Sequence, residues 1–438
     1  MNSSNNSSFN LFSTAECLIS NFSQFFPNTS LASRLYQRLD LTNLRLIFYL
    51  TTPWESTFDN INDVPNYNVQ VSAWWMMLIF LEFIILTITG HSDRFALNDS
   101  IICAGMLSQC FKFGGRAIAI FGYIWIWENF RIIELPLNSA WIWGICLITQ
   151  DFVYYLGHRA IHEAGVFWGL HTIHHSSQYF NLSTALRQAA IQDVGLAVYD
   201  ILQAFFIPPP IFLVHRYFSE IFQFWMHTSL LGSLGPLGYI LNTPSHHRAL
   251  YFPPGWYPGV KVKLFFHWAT LCNSSYNVPE PEKPPIIYNP TISRWLKAYI
   301  LGHFLLLLCI FLHFEYDRLE IGWIDFILKI TFFICTMSMF GAFFDICEWA
   351  PLIELFRIFG VIIYYLTKII FEQNGLKLNR LSVISLFILS GIFWLIYLIL
   401  QKFKKISERR KIVCDNQEIN KNNKEIFKEE EKQKRERA

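Results

Sequence analysis

Apolar runs long enough to cross a bilayer recur along this chain, separated by short polar breaks. The first clear run covers residues 72–90. Its one charge is Glu82, and Trp74 and Trp75 sit near an end, where aromatic belts form. Residues 101–130 predict a span with a polar face bearing Gln109, Lys112 and Arg116. Residues 139–157 predict another, which stops where a series of histidines begins. Over 190–232 the pattern is amphipathic to apolar but broken by Pro208, Pro209 and Pro210, which cannot continue a helix. Two helical pieces with a bend follow from this, the second near 211–228 with Gln223 and His227. After a proline-rich stretch over 241–290 the apolar pattern resumes at 296–314, 322–346, 353–371 and 381–401, the last being the cleanest.

The expected fold class is all-α: a polytopic integral membrane helical bundle. Five segments follow from the pattern. A polar N-terminal tail and an interfacial helix near 33–50 fill 1–70, and a membrane-embedded domain that bears the histidine series covers 71–250. A proline-rich loop over 251–292, C-terminal transmembrane helices over 293–402 and a charged tail over 403–438 complete the chain. Lys402, Lys404, Lys405, Arg409, Arg410 and Lys411 just beyond the last span favour the cytosolic side for that end.

Composition strengthens the membrane reading. The chain is 53% hydrophobic and only 16% charged, against about 25% charged in an ordinary soluble domain. A formal net charge of +2 gives no argument for nucleic acid. The nine cysteines are scattered with no C-x-x-C spacing, so neither a thiolate metal site nor a disulfide framework is indicated. The first thirty residues lack a basic segment followed by an apolar one, the mark of a cleavable signal peptide. They hold sequons at Asn2, Asn5, Asn6, Asn21 and Asn28, which matter only if that end reaches the lumen. Walker, G-x-G-x-x-G and G-x-S-x-G patterns are absent, which leaves phosphate-cradling and serine-hydrolase chemistry unsupported.

The chemistry gathers between Asp151 and Gln188. His158 and His162 fall as H-x-x-x-H, and His171, His174 and His175 as H-x-x-H-H. On a helix, positions three or four apart share a face, so each set can point at one target. An isolated histidine in an apolar helix is usually structural. Five at repeated helical spacing, close to the end of a span, read as a metal site with more than one ion, because neutral imidazole is the commonest transition-metal ligand and polar groups near a membrane are expensive. His227 and the His246–His247 pair lie further on. A histidine-rich, carboxylate-poor set suits iron, zinc or copper. Redox iron would activate dioxygen against a lipid C–H bond; zinc would only polarise groups or activate water.

The block DFVYYLGHRAIHE…HTIHHSS…NLSTALRQ…QFWMHT…LNTPSHHR resembles the fatty acid hydroxylase superfamily. NLSTALRQ and NTPSHHR resemble the members that act on alkylglycerols more than those that hydroxylate sterols or ceramides. The resemblance implies a multi-pass enzyme of the endoplasmic reticulum membrane with a diiron (Fe) centre facing the cytosol. It would use tetrahydrobiopterin and O2 to hydroxylate the carbon beside the ether oxygen of an alkylglycerol lipid, giving a fatty aldehyde and a glycerol derivative. Carried over by position, the metal ligands are His158 and His162, then His171, His174 and His175, with His247 opening a third box and His227 as an isolated extra ligand. Glu163 matches a catalytic glutamate beside the metal, and a carboxylate there can orient an imidazole or bridge two ions.

The third box departs from the H-x-x-H-H pattern. After His247 come Arg248, Ala249, Leu250 and Tyr251, with Leu and Tyr where histidines belong. The simplest reading is a segment lost immediately after Arg248, which leaves the 251–292 loop short and one ion with fewer ligands. His246, adjacent to His247, is a weak substitute, His267 is the only other histidine in the shortened loop, and His91, His215, His303 and His313 read as structural. Two rivals follow: an inactive relative that binds lipid or regulates, and a zinc-dependent or purely structural membrane protein.

Overall fold

The computed structural model describes residues 31–163, 167, 169, 171, 173–189, 192–232, 234–244, 288–317, 321–371 and 380–407. Among these residues the regular structure is helical, without strands. They fall into two compact units that divide at Met337–Ser338.

In the first unit, α1 (Leu31–Arg38) and α2 (Leu41–Leu46) replace the single interfacial helix expected over 33–50. They precede α3 (Tyr67–Ile88), whose N-terminus is capped by the Asn66 side chain accepting from the Val69 N–H. The segment expected as one span over 101–130 is two helices, α4 (Leu97–Cys103) and α5 (Met106–Phe130). Gly105 makes the break possible: a Cβ there would lie 2.5 Å from the Ile102 carbonyl oxygen. Helix α6 (Ala140–Glu163) runs beyond the expected 139–157 and so carries the first histidine pair on continuous helix. The proline run behaves as its chemistry requires. Helix α7 (Gln192–Asp200) ends in a 3₁₀ turn over Ile201–Phe205, and α8 (Pro209–Phe222) starts on prolines, where the missing N–H costs nothing.

Helix α7 packs against α5 and α6, and α8 against α6 and α3. Gly157, the residue before His158, lets α6 and α7 approach, since a Cβ there would sit 3.0 Å from the Leu196 Cδ2. One apolar core joins Leu46, Val71, Leu186, Val214, Phe218 and Trp225. A second joins Trp143, Cys146, Ala204 and Ile211, with Tyr123 and Phe212 stacked face to face at 3.8 Å.

Charge is buried between these helices as a chain of ion pairs. Arg216 on α8 donates to Asp200 at 3.0 Å and to Asp193 at 3.3 Å, both on α7. Arg116 on α5 reaches Asp193 at 3.5 Å and also pairs with Glu220 on α8. Each cation therefore faces two carboxylates on neighbouring helices, which fixes the register of α5, α7 and α8.

Helix α9 (Arg294–Asp317) and helix α10 (Trp323–Phe344) follow. In the second unit, α11 (Ala350–Phe371) and α12 (Arg380–Ser407) form a pair. Its core holds Trp394 stacked on Phe343 at 4.8 Å. It also holds a fully buried ion pair, Glu354 accepting two bonds of 2.7 Å from Arg357, whose guanidinium lies 5.2 Å from the Phe387 ring centre.

Among the described residues, four helical stretches are long and apolar enough to cross a membrane: Ile61–Ile88, Arg294–Leu312, Trp323–Phe344 and Arg380–Ser407. The other three expected spans are helices too, but α5, α6 and α11 carry ionisable groups within their length, Arg116, Asp151 and Glu354 among them.

Arg216→Met should leave Asp200 and part of Asp193 without a counter-charge and lower stability by about 3–5 kcal/mol, read as a fall in thermal midpoint of the solubilised protein. A second expectation concerns His215, fully buried with its Nδ1 2.6 Å from the Tyr49 hydroxyl. Burial pushes its imidazole down to about 3 from an ordinary 6.5. Between those values the unfolded chain binds the extra proton, so stability is complete above the ordinary value and falls as pH drops below it. Over the first 1.5 pH units of that fall the loss is roughly 2 kcal/mol, and His215→Gln should flatten the slope of midpoint against pH.

Candidate metal centre

Five histidines come together in the first unit. His158 lies on α6, one helical turn before His162. Its ring meets His171 edge-on at 5.0 Å and is stacked by Tyr154 at 5.7 Å. The H-x-x-H-H series is not on a regular α-helix. His171 closes a turn by accepting the His174 N–H at 3.0 Å, and His174–Ser176 is a 3₁₀ turn, in which positions three apart eclipse. The tighter turn still points the three side chains inward: ligating nitrogens of His171, His174 and His175 all lie within 4.8 Å of one another. His227 arrives from the 3₁₀ turn Trp225–His227 after α8, its ring 5.0 Å from His174 and stacked by Phe180 at 5.9 Å.

Backbone carbonyls set how two of these rings present themselves. His174 Nδ1 is 2.8 Å from the Arg187 carbonyl, and His227 Nδ1 is 2.8 Å from the Gln223 carbonyl. A carbonyl only accepts, so each Nδ1 holds the proton and donates it. Each Nε2 is then a lone pair, and the two Nε2 atoms stand 3.1 Å apart. Burial also pushes the His227 imidazole down to about 4, which keeps it neutral. Two lone pairs at that distance repel unless they share a cation. Nitrogens bound to one metal at about 2.0–2.1 Å, at angles near 90°, are themselves about 3 Å apart. With His158, His171 and His175 converging on the same place, the donor set fits a metal ion held by imidazole.

The loop that carries this arrangement is itself anchored. Asn181 caps the 3₁₀ turn Leu182–Leu186, its Oδ1 accepting from the Ser183 N–H at 3.1 Å. Arg187 follows, and its side chain donates to Asp99 on α4 at 3.0 Å. Asp99 also accepts from the Ser177 hydroxyl at 2.5 Å, two residues beyond His175. One aspartate thus joins the histidine turn to the residue whose carbonyl orients His174.

Of the residues expected from sequence, His158, His171, His174, His175 and His227 are brought together. The backbone of His162 and Glu163 continues α6. His162 and Glu163 side chains and His247, with Leu250 and Tyr251 after it, lie outside the described residues, as do His246 and His267. His215 is structural, in contact with Tyr49 and Trp143, and His91 is exposed. Sequence reasoning missed Asp99, Arg187 and Gln223. The Asn-x-Ser/Thr start of NLSTALRQ is a readable turn signal, but a carbonyl that orients a ligand leaves no side-chain signature.

Residues 143–257 match the family model described as fatty acid hydroxylase, a stretch that contains every histidine proposed as a ligand. The alkylglycerol monooxygenase of Caenorhabditis elegans is 49% identical, covering 90% of this chain and 94% of the relative. That of Xenopus tropicalis is 31% identical, over 72% of this chain and 85% of the relative, and the human one 29% identical, over 73% and 87%. The alignment with the nematode protein runs over 482 residues, more than this chain's 438, so that relative carries stretches this chain lacks. No solved structure matches.

Single substitutions His174→Ala and His227→Ala should each reduce bound metal, seen by elemental analysis of the purified protein. His215→Gln, buried but outside the cluster, should leave metal content unchanged.

Proposed function

Since the chain belongs to the alkylglycerol monooxygenase family, we propose that it is a membrane monooxygenase that cleaves the ether bond of alkylglycerol lipids. The observation that carries this reading is the pair of imidazoles, His174 and His227, with both Nδ1 atoms held by carbonyls and both Nε2 atoms 3.1 Å apart. Such a pair is unfavourable by itself and becomes favourable around a shared cation.

The metal in this reading is iron, as a diiron centre held by His158, His162, His171, His174, His175, His227 and His247, with Glu163 beside it. Iron supplies the activation of dioxygen when bound. Tetrahydrobiopterin, when bound, would supply two electrons and two protons. One oxygen atom of O2 enters the C–H bond beside the ether oxygen and the other leaves as water. The resulting hemiacetal separates into a fatty aldehyde and a glycerol derivative, with one proton moving from the new hydroxyl to the glycerol oxygen. The chain's own contribution is to hold the imidazoles neutral and aimed, through the Arg187 and Gln223 carbonyls. The apolar helices suit a substrate whose reacting carbon sits at the head of a lipid chain. The basic residues at the end of α12 favour the cytosolic side for that end of a multi-pass protein, and the family resemblance favours a cytosol-facing site in the endoplasmic reticulum membrane.

The segment lost relative to longer relatives lies, in this reading, just after Arg248, where the third box stops short. The remaining ligands are many enough to hold metal, so the chain keeps the centre with a reduced ligand count.

The test uses the full chain in lipid nanodiscs, with iron, tetrahydrobiopterin, O2 and an alkylglycerol. Expected are bound iron and fatty aldehyde released only when pterin and O2 are both present. A folded preparation with neither iron nor aldehyde overturns the reading.

A further inference from the structure

Glu82 is the one charge of the first apolar span, and it is 1% exposed. A carboxylate buried on a membrane helix is expensive and is retained where it does something. Both of its oxygens are engaged by the histidine-bearing part of the chain. Oε2 accepts from the Leu182 backbone N–H at 2.6 Å, and Oε1 accepts from the Thr228 hydroxyl at 2.5 Å. Leu182 begins the 3₁₀ turn that ends beside Arg187, the residue whose carbonyl orients His174. Thr228 directly follows His227. Thr228 is itself fixed, since its hydroxyl oxygen accepts the Leu230 N–H at 3.1 Å. One side chain on α3 is therefore tied to both of the imidazoles whose Nε2 atoms meet. Residue 82 lies outside the stretch matched by the family model, which begins at residue 143.

We propose that Glu82 is a positioning residue of the metal centre, a two-handed acceptor that sets the separation of His174 and His227. It touches no reacting atom. It acts through the turn that precedes Arg187 and through the residue after His227. The proposal rests on the reading that those two histidines hold a metal ion. An ammonium or guanidinium could not serve here, because both contacts need an acceptor. A glutamine supplies only one acceptor oxygen and turns an N–H₂ towards Thr228, so it preserves the Leu182 contact and disturbs the other. Removing an outer support of a ligating histidine typically lowers metal affinity 10–100-fold.

The experiment compares the full chain with E82A, E82Q and T228V, each in nanodiscs and loaded with ferrous iron. Thermal midpoint, the rate of iron transfer to a chelator, and the spectrum of the cobalt(II)-substituted protein are read on each. The expected result is iron release roughly 10–100-fold faster in E82A and several-fold faster in E82Q and T228V, with a shifted cobalt spectrum in the folded fraction. For aldehyde release, kcat per chain should fall while KM for the alkylglycerol stays put. A role confined to holding helices together would lower the midpoint and leave the release rate and spectrum of the folded protein as they are; that result overturns the proposal. If E82A does not fold, T228V decides, and wild-type release in T228V overturns it. Failure of the wild-type chain to bind iron or cobalt overturns this proposal together with the reading it rests on. Tight binding by the wild-type chain and by every variant overturns this proposal alone.

Discussion

A carbonyl oxygen can accept a hydrogen bond and cannot donate one, and the histidine site depends on that asymmetry. By holding the Nδ1 protons of His174 and His227, the Arg187 and Gln223 carbonyls settle the tautomer of each ring and leave two lone pairs facing each other at 3.1 Å. That geometry is unfavourable by itself and favourable around a cation. The helices, turns and buried carboxylates nearby are arranged so that the carbonyls stay where they are. Asn181 caps the turn before Arg187, and Asp99 holds both Arg187 and the end of the histidine turn.

Placing that site in a helical membrane protein means placing charge where charge is costly. The first unit answers this by pairing. Arg116 and Arg216 each face two carboxylates drawn from Asp193, Asp200 and Glu220, so that three helices share one network of two cations and three carboxylates. In the second unit Glu354 and Arg357 satisfy each other one turn apart beneath Phe387. Such pairs add little net stability compared with apolar packing, but breaking one is severe. They therefore fix register more than they drive folding. The buried apolar clusters around Phe218 and around Tyr123 supply the driving force.

Much of the frame was legible from periodicity alone. Every apolar run read as a span is helical, 101–130 as two helices rather than one, and Pro208–Pro210 ends one piece and begins the next as proline's fixed φ requires. The misreadings were local. The 101–130 run looked continuous because hydropathy does not register that Gly105 admits a break. The second histidine series was read as α-helical because three-residue spacing fits both an α-helix and the tighter 3₁₀ turn it adopts.

The sequence by itself determined the histidine spacing and the membrane frame. Imidazole spacing and apolar run length are short-range properties, written within a few turns of chain. It also carried the family wording that identifies the likeness to alkylglycerol monooxygenases. Tertiary structure decided which histidine meets which, and what aims them. His227 and His174 are 53 residues apart in the chain. The groups that orient them are backbone carbonyls and carboxylates on other helices, Asp99 and Glu82, and no local pattern encodes a contact that exists only once distant segments have packed together.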